Sequence, residues 1–160
     1  GPGPDFPNGT GGNVAISVKG TANVVVISDT SANVTGNLKV SGTTNTGDLA
    51  IGNSKVGAAT ITTTSIATAS VIALPVANFR AVEFFIKGED SATPKFSVAT
   101  ISAVHNGSDT VEWSTYGGVH VGASTGTFDV SYDSVNSLVI LHVTPSSSNQ
   151  TVWTVQYRTI

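Results

Sequence analysis

Apolar residues recur at every second position along most of this chain, and no stretch carries them at i, i+3, i+4 and i+7 over three turns. A period of two is the mark of strands with one face turned inward. The pattern is clearest from Arg80 onward. Val82, Phe84 and Ile86 fall on one face of a strand, with Glu83 and Lys87 on the other. Gly88, Glu89, Asp90 and Ser91 read as the turn that follows. Phe96, Val98 and Val104 share a face of the next strand. Asn106-Gly107 supplies the positive φ angles of a hairpin turn, and Val111, Trp113 and Thr115 share a face of the return strand. Gly117-Gly118 predicts a bulge or kink, after which Val119, His120 and Val121 resume extended chain. Phe128, Val130 and Tyr132 point inward from another strand. Residues 138–143 are almost all apolar, as suits a strand at the centre of a sandwich. Trp153, Val155 and Tyr157 share a face of the last one. About seven short strands at roughly ten-residue spacing predict an all-β fold, an antiparallel β-sandwich or jelly-roll head over residues 76–160. Its predicted core is Val82, Phe84, Ile86, Phe128, Val130, Ile140, Trp153 and Val155.

The first third alternates in shorter pieces. Asn13-Val14-Ala15-Ile16, Asn23-Val24-Val25-Val26 and Asn33-Val34 recur ten residues apart. Asn37-Leu38-Lys39-Val40 and Asp48-Leu49-Ala50-Ile51 follow eleven apart, with glycines between the units. Strands this short bury little by themselves and gain stability by stacking on neighbours. Residues 13–75 therefore read as a repetitive shaft of interchain β-structure. Val14, Ile16, Val24, Val26, Val34, Leu38, Val40, Leu49 and Ile51 are its apolar positions, facing a three-fold axis or a neighbouring chain. The β-branched run from Ala58 to Pro75 adds one or two strands leading into the head. Residues 1–12 read as a linker, Pro- and Gly-rich, with Gly1-Pro2 resembling the scar of a cleaved tag. The missing Met and the alternation up to Ile160 suggest an excised piece that retains its natural C-terminus.

Composition narrows the function. The chain has 160 residues, a net charge of -3 and only 11% charged residues, against about 25% in an ordinary domain. Seven basic residues against ten acidic ones lack the electrostatic footprint of a nucleic-acid binder. Without cysteine there is no disulfide framework, thiol nucleophile or Cys-based zinc site. No apolar run approaches the length of a membrane-spanning helix.

Catalytic chemistry needs a constellation, and none is legible. His105, His120 and His142 have no second ligand at metal-binding spacing. Glu83, Glu89, Asp90, Glu112, Asp129 and Asp133 fall on polar strand faces or in turns, where solvation explains them. No nucleophile elbow or phosphate loop is present. The expectation is no catalytic residue, no metal and no cofactor. One cluster suggests binding: Trp113, Tyr116, His120 and the Asn106 hairpin gather aromatic and amide groups on connected strands. Stacking rings with amide and hydroxyl donors suit a sugar ring. The competing reading puts Trp113 in the core and packs Tyr116 at the bulge.

The run from Gly36 to Asn53, with Gly36-Asn37-Leu38-Lys39-Val40, resembles the Gly-Asn-Leu-x-Val repeats of bacteriophage tail fibres and related virion appendages. The part from Phe79 to Ile160 resembles β-rich structural proteins of tailed phages, marine cyanophages among them. The residues that carry this include Ile101-Ser102-Ala103-Val104-His105-Asn106-Gly107, Thr115-Tyr116-Gly117-Gly118-Val119, Thr127-Phe128-Asp129-Val130 and Val143-Thr144-Pro145-Ser146-Ser147-Ser148. The resemblance implies a non-enzymatic virion structural protein, a homotrimer joined to other virion proteins at its N-terminal end. A host-surface glycan is a further candidate partner; nucleic acid and membrane insertion are not expected. The alternative is a carbohydrate-binding β-sandwich module of a phage or bacterial surface protein. A depolymerase and a bacterial adhesin or surface-layer fragment are the remaining readings.

Overall fold

The computed structural model describes residues 14–18, 21–27 and 31–160, so the predicted linker at 1–12 lies outside it. The chain divides into two compact units, one up to Asn45 and one from Thr46 to Ile160. In the first, β1 (Val14–Val18), β2 (Thr21–Ile27) and β3 (Ala32–Val34) form an antiparallel three-stranded meander. Val14 pairs with Ile27, and Val25 with Val34. The repeat thus pairs its strands within the chain, as short turns between consecutive strands favour. The placement of the Val14, Ile16, Val24 and Val26 side chains lies outside the described residues. The expected strand at Asn37–Val40 is not formed. Gly36 turns the backbone at a φ of 110°, and residues 35–48 carry no strand. Leu38 and Val40 are exposed there.

The second unit is all β apart from one 3-10 turn, Val76–Asn78. Its strands are β4 (Leu49–Ile51), β5 (Ser54–Thr63), β6 (Ala69–Pro75), β7 (Ala81–Asp90), β8 (Lys95–His105), β9 (Val111–Val121), β10 (Gly126–Asp133), β11 (Leu138–Pro145) and β12 (Thr151–Thr159). Two antiparallel sheets face each other as a sandwich. One has the order β4-β5-β12-β7-β8-β9, the other β10-β11-β6. At the edges β9 approaches β10 and β5 approaches β6. The sandwich therefore begins well before Val76, where the sequence pattern drew the head. Residues 54–75 are structural partners of the last two strands: β5 pairs with β12 along Lys55–Thr63, and β6 pairs with β11. Leu49 and Ile51 also belong to this unit, as an exposed edge strand.

The core lies between the sheets. Val82, Phe84, Ile86, Ile101, Trp153 and Val155 come from the large sheet, and Val71, Val130, Val139, Leu141 and Val143 from the small one. Ile140 is not among them. It sits on the opposite face of β11, where Val139, Leu141 and Val143 alternate inward. A run apolar on both faces leaves the choice of face to the pairing. Phe128 is partly buried and meets the Trp153 ring edge-on, with centroids 6.0 Å apart. The Trp153 indole Nε1 donates to Thr63 Oγ1 at 2.9 Å, so its polar atom is satisfied inside. Gly88 pairs opposite Trp153. A Cβ on Gly88 would stand 2.6 Å from the indole ring. This explains why the predicted turn at Gly88–Ser91 is strand as far as Asp90: the glycine clears space for the ring instead of bending the chain.

Candidate functional site

Strand register sets what each sheet face presents. On β7, Val82, Phe84 and Ile86 are buried, which turns Glu83, Phe85 and Lys87 to the outer face. On β8, Ala99, Ile101 and Ala103 are buried, which turns Phe96, Val98, Thr100, Ser102 and Val104 outward. The face shared by Phe96, Val98 and Val104 is thus the outer one. Small residues and Ile101 fill the core side.

Pairing aligns these outward residues in rows across the sheet. One row runs Arg158, Glu83, Ser102, Ser114. The next runs Gln156, Phe85, Thr100, Tyr116. On the other side of the first row lie Ala81, Val104 and Glu112. The Tyr116 hydroxyl donates to Glu83 Oε2 at 2.7 Å, and Arg158 Nη2 stands 3.4 Å from Glu83 Oε1. A trough crosses the sheet here. On one side of the Glu83–Arg158 pair it opens to about 510 Å³, lined by Ala81, Ser102, Val104, Glu112, Ser114 and Ile160. On the other side a smaller hollow of about 200 Å³ is lined by Val56, Phe85 and Gln156.

The opposite end of the same face is apolar. Phe96 pairs with Val121, and Val98 with Val119. With the stem of Lys87 they line a shallow depression of about 240 Å³. Val119 and Val121 are 62% and 67% exposed. Phe96 and Val104 lie eight positions apart on β8, roughly 26 Å at ~3.3 Å per residue.

Of the residues singled out from sequence, Trp113 lines the larger hollow and Tyr116 reaches it through Glu83, while His120 and Asn106 lie elsewhere. Trp113 pairs with buried Ala103 and packs partly buried against the core, while Tyr116 points to the outer face. The expected bulge follows Tyr116: Gly117 and Gly118 together oppose the single Ala99, and Gly117 has a φ of 64°. His120 pairs with Ser97 on the inner side, exposed at the open edge near Ser124 and Phe128. Asn106 is occupied in its own turn. Its Oδ1 accepts from the amides of Ser108, Asp109 and Thr110, and its Nδ2 donates to Asp109 Oδ1 at 2.7 Å. Glu83, Phe85, Gln156 and Arg158 were not legible as a group, because only the pairing of β7 with β12 sets them side by side. Alternation did place Glu83 on a polar face.

Several titratable groups serve the fold. Asp90 is buried between two loops. Burial alone would raise its pKa, but hydrogen bonds from Asn149, Thr93 and Ser147 outweigh it and lower the value to about 2. Asp109 and Asp133 are held below the usual carboxylate range, chiefly by Asn106 and Asn136. His105 is buried, and its Nε2 donates to the Phe79 carbonyl at 2.9 Å. Burial lowers its pKa, against the raising effect of that hydrogen bond and with further lowering from Arg80. Among the described residues no three His, Asp or Glu side chains gather as metal ligands.

No protein-family model and no curated protein matches the sequence. Two solved structures resemble the chain. One is the tailspike protein gp49 of Acinetobacter baumannii bacteriophage Fri1, described as a capsular polysaccharide depolymerase. It is 12% identical with a TM-score of 0.42, over 70% of this chain and 19% of that one. The other is the tailspike of Acinetobacter phage vB_ApiP_P1, 16% identical with a TM-score of 0.43, over 77% of this chain and 24% of that one. Both are phage tailspikes. The chain spans about a fifth of the length of the first and about a quarter of the second.

Proposed function

We propose that this chain is a non-enzymatic structural domain of a bacteriophage appendage, assembled as a homotrimer in the virion and presented to the host surface. The observation that carries the reading is the apolar end of the outer sheet face. Phe96, Val98, Val119 and Val121 form a contiguous patch on a sheet whose other face is already buried. Contiguous apolar surface of this kind marks a place where another protein surface docks, and a second copy of the chain is the occupant that the fibre-like sequence resemblance favours. Few charges and short hydroxyl side chains fit the same reading, because little side-chain entropy is lost when they are packed into a rigid assembly. The carboxylates support a structural role: Asp90, Asp109 and Asp133 are each committed to a loop or turn, and Glu83 to Tyr116 and Arg158.

The test is the solution mass of the full chain by light scattering on a sizing column. Three chains are expected, and a monomer at tens of micromolar would sink the assembly reading. Incubation with capsular polysaccharide should leave its length unchanged. Depolymerisation lost in Glu83→Gln would overturn the non-enzymatic reading.

A further inference from the structure

We infer that the trough around Glu83 and Arg158 is a binding site for a saccharide chain that carries no acidic groups. The inference rests on the host-facing reading above and names the ligand class of that surface. The floor beside the ion pair is apolar, from Ala81, Val104, Trp113 and Ile160. On the other side Phe85 presents a ring that is 52% exposed. A sugar ring offers apolar C–H faces to such a floor and hydroxyls around its rim. Polar groups stand where those hydroxyls would fall: the Glu83 carboxylate, the half-free Arg158 guanidinium, the Gln156 amide, and Ser102 and Ser114. Carboxylates accept, guanidinium donates, and amides and hydroxyls do both. An apolar surface with a few fixed polar groups is the usual make-up of a small-molecule site.

Two further features decide the class. The trough lies on a sheet face, where the backbone groups are spent in the ladder, so an extended peptide gains none of the main-chain pairing it finds at a sheet edge. It also crosses five strands, roughly 20 Å at ~4.8 Å per strand, which suits several linked rings better than one. Charge then sets the preference. Glu83 and Arg158 offset each other, and Tyr116 holds Glu83 in place through the 2.7 Å hydrogen bond. Glu112, exposed on the rim, has no ion-pair partner among the described residues. The site is therefore net negative and repels uronate-bearing chains.

The experiment applies the full chain to a printed array of uncharged and uronate-bearing oligosaccharides, then titrates the strongest binder by calorimetry. At least one uncharged chain should bind, and Phe85→Ser and Arg158→Gln should each weaken it tenfold or more with the melting midpoint unchanged. Glu112→Gln should improve binding of uronate chains. Absence of binding across the array, preference for uronates in the unaltered protein, or binding indifferent to both Phe85→Ser and Arg158→Gln would each overturn the site. Solution mass is measured on the same samples. A trimer that binds nothing removes the site and leaves the assembly standing; a monomer that binds removes the assembly and leaves the site.

Discussion

Trp153 shows how one side chain organises its surroundings. Its ring needs a glycine opposite, a threonine hydroxyl for its indole nitrogen and Phe128 against its edge, and it has all three. Trp153→Ala should lower stability by about 3–5 kcal/mol, measured by denaturant titration, since the cavity cannot collapse against a rigid sheet. Asp90 and His105 make the fold sensitive to acid, each with a definite sign. The folded pKa of Asp90, about 2, lies below the ordinary 3.8, so its contribution is whole above about pH 4 and is lost as pH falls toward 2. The folded pKa of His105 is also depressed. Its contribution is whole above the ordinary 6.5 and is lost below it, because protonation puts an unpartnered Nδ1 donor in the interior. Thermal midpoints should therefore fall in two stages on acidification, and Asp90→Asn should lower the midpoint at neutral pH and flatten the second stage. A midpoint independent of pH between 7 and 3 would contradict both assignments.

The alternation in β7 and β12 was legible because polar and apolar residues take opposite faces, and the core residues Phe84, Ile86, Trp153 and Val155 follow from it. Alternation in β8 was legible too, but it does not say which face is buried when Phe96, Val98 and Val104 oppose Ala99, Ile101 and Ala103. The face with the larger side chains is the exposed one. That inversion leaves the apolar patch on which the proposed assembly rests. Val119→Lys, which changes a residue 62% exposed on an edge strand, should alter folding stability by no more than about 0.5 kcal/mol while reducing the solution mass to that of one chain. A retained trimer would place the contact elsewhere. Hydrogen exchange should divide the sheet in the same way. Amides of β12 and β7, in the middle of the large sheet, should be the slowest, and those of β9, with its two-glycine bulge at a free edge, among the fastest in the ladder.

At the scale of the molecule, the boundary between units falls at Asn45 and Thr46, not near Pro75. A chain beginning at Thr46 keeps every buried residue of the sandwich and should unfold cooperatively with the full chain's midpoint. One beginning at Val76 loses β5 and β6, bares the edges of β12 and β11, and should aggregate or remain unfolded, as circular dichroism would show. Sequence by itself determined the class of this protein. Alternation without helical periodicity, little charge and no cysteine leave an all-β fold, and the turn at Gly107 and the bulge at Gly117 were readable because glycine favours positive φ, although Asn106 holds its loop through its side chain and not through a positive φ. Tertiary structure decided everything that depends on pairing between distant segments. The β12 and β11 partners of β5 and β6 lie more than sixty residues away, the outward turn of Ile140 follows from how β11 meets the other sheet, and Glu83 stands beside Arg158 only because β7 and β12 are neighbours. A period of two fixes which residues share a face, but long-range register fixes which face is buried and which residues stand side by side, and no local pattern encodes it.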